Sequence, residues 1–288
     1  MGDVCVTCGN EYASLYQHYH TSFPSHKPQS WDECHSCGER YKSISKHWSK
    51  SECQHPPLTQ RQYEIITGLV MGDGCVGRED GKSPRLHVRM ITKEYLEFLD
   101  SEFEILGTGV SLYRTAEEGA KLNRKYDFRP NADSKNYHDC YYWGVSNTPH
   151  LNEFASWYDS GKKVWSEGIE LTPTVLKHWY VGDGCYVDHD SNDYIKISLS
   201  NEVDSEEKVG GYFEDVGLPR PNRWGVGERR DGGVICDAVW NIEESYELLE
   251  YMLEDEYGIP PGFKYKWPEE FHEDNIIESS RTPVEATI

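Results

Sequence analysis

Two stretches decide how this chain folds: residues 58–78, LTQRQYEIITGLVMGDGCVGR, and residues 171–190, LTPTVLKHWYVGDGCYVDHD. Each opens with a helix-start signal. Thr59 with Gln62 makes a capping box, and Thr172 is an N-cap followed by Pro173, whose fixed φ suits the first helical position. Each apolar run ends in Gly-Asp-Gly-Cys, where glycine stops the helix. Asp73 and Asp183 lie 110 residues apart.

The residues after each stretch also repeat. Arg85-Leu86-His87-Val88-Arg89 and Tyr194-Ile195-Lys196-Ile197-Ser198-Leu199-Ser200 alternate polar with apolar, the period of a half-buried strand. Helical periods come next at 93–106 and 204–215, then at 150–159 and 243–256. Strand periods at 109–114, 138–146, 224–229 and 233–240 fit between them. The order helix, hairpin, helix, hairpin, helix, stated twice, predicts an α+β domain with a pseudo-twofold axis, one half over 58–170 and the other over 171–270. Residues 271–288 read as an acidic tail.

A second repeat, of period 29, occupies the front of the chain. CVTCGNEYASLYQHYHTSFPSH, from Cys5, and CHSCGERYKSISKHWSKSECQH, from Cys34, align without a gap. Cys5, Cys8, Gly9, Tyr12, Ser14, His18 and His26 fall on Cys34, Cys37, Gly38, Tyr41, Ser43, His47 and His55. Repetition of donors and spacers together is hard to obtain by chance. Each unit supplies two cysteines, a histidine on a short helix and a later fourth donor, as a tetrahedral Zn²⁺ site requires. The fourth donor is His26 (or His20) in the first unit and Cys53 or His55 in the second. Two structural zinc ions per chain are expected, in modules over 1–29 and 30–57. Pro56-Pro57 then separates the modules from the larger domain.

The net charge of −21 sits badly with an anionic partner, yet it is uneven. Residues 240–288 hold 13 acidic and 3 basic side chains, while basic residues gather elsewhere. Such acidity suits a proteome adapted to salt, as in haloarchaea and their viruses, because at 1 M the Debye length is only ~3 Å. No run approaches the roughly 18 apolar residues of a membrane helix. The Met1-Gly2 start carries no secretory pattern, so a cytoplasmic protein is expected.

Ile66-Thr67-Gly68-Leu69-Val70-Met71-Gly72-Asp73-Gly74 resembles the nine-residue signature of the LAGLIDADG (dodecapeptide, DOD-type) homing endonucleases. Leu176-Lys177-His178-Trp179-Tyr180-Val181-Gly182-Asp183-Gly184 resembles a second copy, departing from the pattern at His178 and Trp179. The resemblance covers roughly residues 58–270. It implies a monomeric, site-specific double-strand DNA endonuclease whose motif helices pair and whose two aspartates hold Mg²⁺ or Mn²⁺, with Gly72 and Gly182 beside them in the cofactor site. It also implies basic residues next to the metals. Lys162 aligns with Lys264, and Lys163 and Lys266 are the near alternatives. The ending Ala286-Thr287-Ile288 lacks the His-Asn of an intein, so a free-standing or intron-encoded protein is expected. A non-cleaving nucleic-acid binder on the same fold, an RNA maturase or DNA-binding regulator, is the alternative.

Gly68 and Gly72 share a helix face, so a partner helix can approach there. Two carboxylates at helix C-termini face the negative ends of the helix dipoles and one another. Hard cations that also bind phosphate relieve both problems. Arg85, His87 and Arg89 share one strand face, as do Tyr194, Lys196, Ser198 and Ser200, and a two-stranded ribbon of this kind fits the DNA major groove. Arg114, Lys121, Arg124, Lys125, Arg129 and Lys135 cluster in one connecting segment, and Arg220, Arg223, Arg229 and Arg230 in its counterpart. Lys42, Lys46 and Lys50 recur at helical spacing beside His47, which suggests that the zinc modules add DNA contacts.

Overall fold

The computed structural model describes residues 3–19, 24–48, 50–126, 128–159, 162–188, 193–199, 202–228 and 232–272. The chain divides into two compact units, Met1–Pro57 and Leu58–Ile288. Among the described residues no helix is long and apolar enough to cross a membrane.

The first unit contains two copies of one small motif. Strands Asp3–Val4 and Glu11–Tyr12 pair antiparallel, as do Asp32–Glu33 and Arg40–Tyr41. A short helix comes after each pair, Leu15–Gln17 in one copy and Ile44–Trp48 in the other. The knuckle closes identically in both: Gly9 and Gly38 take φ of +73° and +69°, a conformation that favours glycine. Their amides donate to the carbonyls of Cys5 (2.8 Å) and Cys34 (2.7 Å).

The larger unit repeats on a bigger scale. Its first half runs α1 (Gln60–Met71), β1 (Cys75–Gly77), β2 (Arg85–Met90), α2 (Lys93–Phe103), β3 (Ser111–Arg114), α3 (Ala116–Lys125), β4 (Cys140–Val145) and α4 (Asn152–Ala155). The second runs α5 (Pro173–Asp183), β5 (Gly184–Val187), β6 (Tyr194–Ser198), α6 (Glu206–Asp215), β7 (Arg223–Glu228), β8 (Val234–Trp240) and α7 (Ile242–Leu253). In each half these strands form one antiparallel sheet, ordered β1-β2-β4-β3 and β5-β6-β8-β7, and the short strands Tyr158–Asp159 and Lys162–Lys163 pair apart from them. The two sheets thus have the same topology, and α3 has no counterpart among the described residues of the second half.

The predicted caps are in place. The Thr59 side chain accepts from the amide of Gln62 in a full capping box, and Thr172 accepts from Val175 with Pro173 behind it. One face of each sheet is packed. Leu86 and Val88 of β2, and Ile195 and Ile197 of β6, are fully buried. A tryptophan from the third strand of each sheet anchors its core: Trp143 meets Phe103 edge-on at 5.2 Å, and Trp240 meets Phe213 at 4.9 Å.

Between the two cores run α1 and α5, buried from Ile65 to Met71 and from Thr174 to Val181. They touch backbone to backbone. A Cβ added at Gly68 would lie 2.4 Å from the carbonyl oxygen of Val175 and 2.8 Å from Cβ of His178. At this level of the seam the space comes from Gly68, with His178 opposite it. That imidazole is 1 % exposed and shares a hydrogen bond with the Tyr95 hydroxyl. Burial holds its pKa well below the usual histidine range, so it sits in the seam neutral.

Gly68→Ala should destabilise the protein by about 1–3 kcal/mol, because backbone cannot yield as a side chain can. In Gly211→Ala the new methyl meets nothing within 4 Å on α6, and that variant should be neutral or up to about 1 kcal/mol more stable. Equilibrium urea denaturation checks both; equal effects would refute the close seam.

Candidate active site and metal centres

At the C-terminal ends of α1 and α5 the approach remains close. A Cβ on Gly72 would lie 3.6 Å from Cα of Gly182 and 3.7 Å from Oδ2 of Asp183. A Cβ on Gly182 would lie 3.5 Å from Cα of Gly72 and 3.1 Å from the amide nitrogen of Asp73. The two aspartates are thus brought to one place by reciprocal contact of the glycines before them. The glycines after them are equally constrained: a Cβ at Gly74 would strike the Leu69 carbonyl at 2.6 Å, and one at Gly184 the Tyr180 ring at 2.0 Å.

The carboxylates are not equivalent. Asp183 is the last residue of α5 and half-buried, whereas Asp73 lies beyond the end of α1 and is exposed. Burial, then the negative charge of Asp73, pushes the Asp183 carboxyl up to about 7, against the pull of Lys163 and Lys266.

Those two lysines occupy matching posts. Lys163 donates from Nζ to the carbonyls of Val70 (2.8 Å) and Gly72 (2.7 Å). Lys266 donates to those of Val181 (2.7 Å), Gly184 (2.6 Å) and Tyr180 (3.3 Å). Each caps the motif helix of its own half, where the dipole is negative. Burial lowers the pKa of both ammonium groups, and the aspartates oppose it. Lys162 and Lys264, the aligned pair, are exposed.

The strand faces divide as their alternation predicts. Arg85 and Arg89 are exposed and His87 half-buried on β2, with Lys196 and Ser198 half-buried on β6. The basic side chains have unlike surroundings, however. Lys196 is bound to Asp237 at 3.0 Å, and Arg220 to Glu207 at 2.8 Å. Arg85 lies 3.4 Å from Glu79, while Arg89 packs over the Tyr113 ring at 4.2 Å. Lys125 and Arg223 are exposed and Arg114 is half-buried, and Arg124 donates to the Ala132 carbonyl. Arg229, Arg230 and Ser200 lie outside the described residues, as does His20.

In the first unit the ligand atoms of Cys5, Cys8, His18 and His26 lie within 4.8 Å of one another, as do those of Cys34, Cys37, His47 and Cys53. Cys53 thus stands in the second cluster, while His55 packs its ring on Trp48 at 5.0 Å. Burial pushes the thiols of Cys5 and Cys34 up, but backbone amides aimed at the sulfur outweigh it and bring both to about 6. Thiolates so stabilised suit a metal. Tyr12 and Tyr41 complete each cluster. They stack on His18 at 3.8 Å and on His47 at 3.7 Å, with their hydroxyls near Sγ of Cys8 (3.6 Å) and Cys37 (3.8 Å). Both tyrosines fall on one another in the period-29 alignment. Their repetition was the available signal, and a supporting role beside the ligands is what it marked.

Residues 63–213 match the model of the LAGLIDADG DNA endonuclease family. The chain belongs to that family. Among solved structures, it is similar to the homing endonuclease I-WcaI bound to its DNA recognition sequence, at 16 % identity and a TM-score of 0.53, over 78 % of this chain and 90 % of that one. It also matches the meganuclease I-SmaMI bound to uncleaveable DNA (11 % identity, TM-score 0.38, 70 % and 85 % covered). A further match is the N-terminal LAGLIDADG domain of DUF199/WhiA (12 %, 0.38, 69 % and 86 %). No curated protein matches the chain. At 16 % identity the likeness to I-WcaI, together with the family match, establishes the LAGLIDADG fold.

The raised pKa of Asp183 has a consequence for stability. Its unfolded value is ~3.9, so the stability its protonated form provides is fully present below about 4 and is lost as pH rises through about 7. Without added Mg²⁺, Asp183→Asn should therefore melt above the unaltered protein at pH 8, with the gap shrinking toward pH 5. An equal or lower Tm at pH 8 would contradict the charge repulsion at the seam.

Proposed function

We propose that this chain is a site-specific double-strand DNA endonuclease of the homing type, acting as a monomer whose two halves supply one aspartate each. The observation that carries the reading is the meeting of Asp73 and Asp183 through Gly72 and Gly182. A helix end needs no carboxylate to stop, and two of them together work against folding. Their presence in both copies is explained by a cation they share.

The donor set suits Mg²⁺ or Mn²⁺, hard ions that take carboxylate and phosphate oxygens. When bound, the metal supplies an activated water and neutralises charge on the phosphodiester. The chain's own part is positional. Lys163 and Lys266 neutralise the carbonyl ends of α1 and α5, which leaves the carboxylate pair as the negative charge that a cation at the seam would meet. Their ammonium groups would also stabilise charge building on a scissile phosphate. Lys162 and Lys264, further out, contribute to the approach of the DNA backbone. Arg85, His87, Arg89, Arg114, Arg124, Lys125, Lys196, Ser198, Arg223 and Arg229 contact double-stranded DNA. Cys5, Cys8, His18 and His26 hold one structural Zn²⁺, and Cys34, Cys37, His47 and Cys53 another, in modules over 1–29 and 30–57. The acidic remainder is adapted to concentrated salt, and assays belong in high KCl.

Asp73→Asn and Asp183→Asn should each lower double-strand cleavage by more than about 100-fold, with DNA binding by gel shift largely kept. The substrate is genomic DNA with Mg²⁺, the new ends being mapped by sequencing. Full cutting by the doubly substituted protein would remove both aspartates from the chemistry. Specific binding without cutting by the unaltered protein, in Mg²⁺ and Mn²⁺ alike, would make it a non-cleaving binder.

Elemental analysis of the purified chain should give two zinc ions, and Cys34→Ser should remove one. A zinc-free protein whose first 57 residues resist protease under chelation would refute the two zinc modules.

A further inference from the structure

The second hairpin of each half is closed differently. Residues 229–233 join β7 to β8, whereas residues 115–139 join β3 to β4 and contain α3. This excursion is a built element. Thr115 and Glu118 form a capping box at its start. The Ala116 amide donates to Asp139 at 2.8 Å, tying its beginning to its end. Arg124 donates to the Ala132 carbonyl, and the ring of Tyr137 packs against Gly119.

Its charges are sorted along the helix. Glu117 and Glu118 lie in the first turn, Arg124 and Lys125 in the last. Beyond them Tyr126 and Phe128 are 57 % and 77 % exposed, and Lys125 stands 5.1 Å over the Tyr126 ring. Among the described residues Arg89, Arg114, Lys121 and Lys125 form no ion pair, although the chain carries a net −21. In the other half Arg220 is held by Glu207 and Glu214, and Lys196 by Asp237, which leaves Arg223 as the exposed cation of its strand face. The excursion is continuous with the strand face: the Tyr113 ring, on β3, meets the guanidinium groups of both Arg89 (4.2 Å) and Arg114 (5.2 Å).

We propose that residues 115–139 are an added DNA-binding arm, carried by the first half alone, that grips the duplex beyond the stretch covered by the β2–β4–β3 strand face. Unpaired cations suit phosphates, and an exposed aromatic beside them suits the flat faces of bases and sugars. The inference rests on the DNA-binding reading above. A ten-residue helix spans about 15 Å, which is up to about four base pairs at ~3.4 Å per step. The protected DNA should therefore be lopsided about the site of cleavage.

The test compares the full chain with Lys121→Ala/Lys125→Ala/Phe128→Ala on duplexes that the full chain selects from a randomised 40-base-pair pool. Phe128 packs on little, so the variant should keep its circular dichroism and Tm. Exonuclease footprints should shorten by three to four base pairs on one side only, and Kd should rise 10- to 100-fold. The slope of log K against log salt should fall by about 1.8, because two phosphates are no longer neutralised. An unchanged footprint and slope would overturn the arm while leaving DNA binding intact. Recovery of no duplex by the unaltered chain would overturn the DNA-binding reading, and the arm with it. A footprint unchanged by the variant, with loss of polyglutamate binding, would assign the surface to an acidic protein instead and also overturn the proposal.

Discussion

The missing Cβ of Gly68 against the Val175 carbonyl is the contact on which the larger unit depends. Helices that touch backbone to backbone hold their ends in fixed register, and here the register sets Gly72 against Gly182 and so Asp73 beside Asp183. That arrangement is electrostatically unfavourable, since two helix C-termini and two carboxylates share one end of the seam. Lys163 and Lys266 offset the helix ends by bonding the last carbonyls of each. A second set of charges ties the halves together elsewhere. Arg61 of α1 bonds Glu102 at 2.7 Å and Asp255 at 2.6 Å, and Asp255 also holds the buried Lys177 of α5 at 2.5 Å. Removing one member of such a buried set strands the others, so the network fixes which halves pair and how.

Much of this was readable from residue patterns, because caps, glycine stops and strand alternation are local signals that duplication repeats. Thr59 and Thr172 cap where those signals place them, and α1 ends at Met71 before Gly72, whereas α5 runs on through Gly182 to Asp183 and passes straight into β5. Helix α3 went unread because it buries only Gly119 and Ala120, leaving no apolar stripe to count. The one signal it offered was the capping box of Thr115 and Glu118.

Other features depended on contacts no periodicity reveals. Adjacent residues of an extended strand point opposite ways, so alignment could not say whether Lys162 or Lys163 turns toward α1. The matching basic clusters looked alike as composition, yet Arg220 and Lys196 are neutralised by carboxylates distant in sequence while Arg89 and Arg114 are not. Cys53 and His55 are two residues apart, and only the fold brings the first among the other ligand atoms of its cluster. Where His178 departs from the motif, the space at the seam comes from Gly68 on the opposite helix.

The seam makes one central claim, that two copies of one helix end combine into a single cation site. Crystals of the full chain with bound duplex DNA, grown in Mn²⁺, test it through anomalous scattering at the manganese edge. A metal peak should lie within coordination distance of oxygens from both Asp73 and Asp183. Manganese bound only elsewhere, with no peak touching either carboxylate, would contradict it.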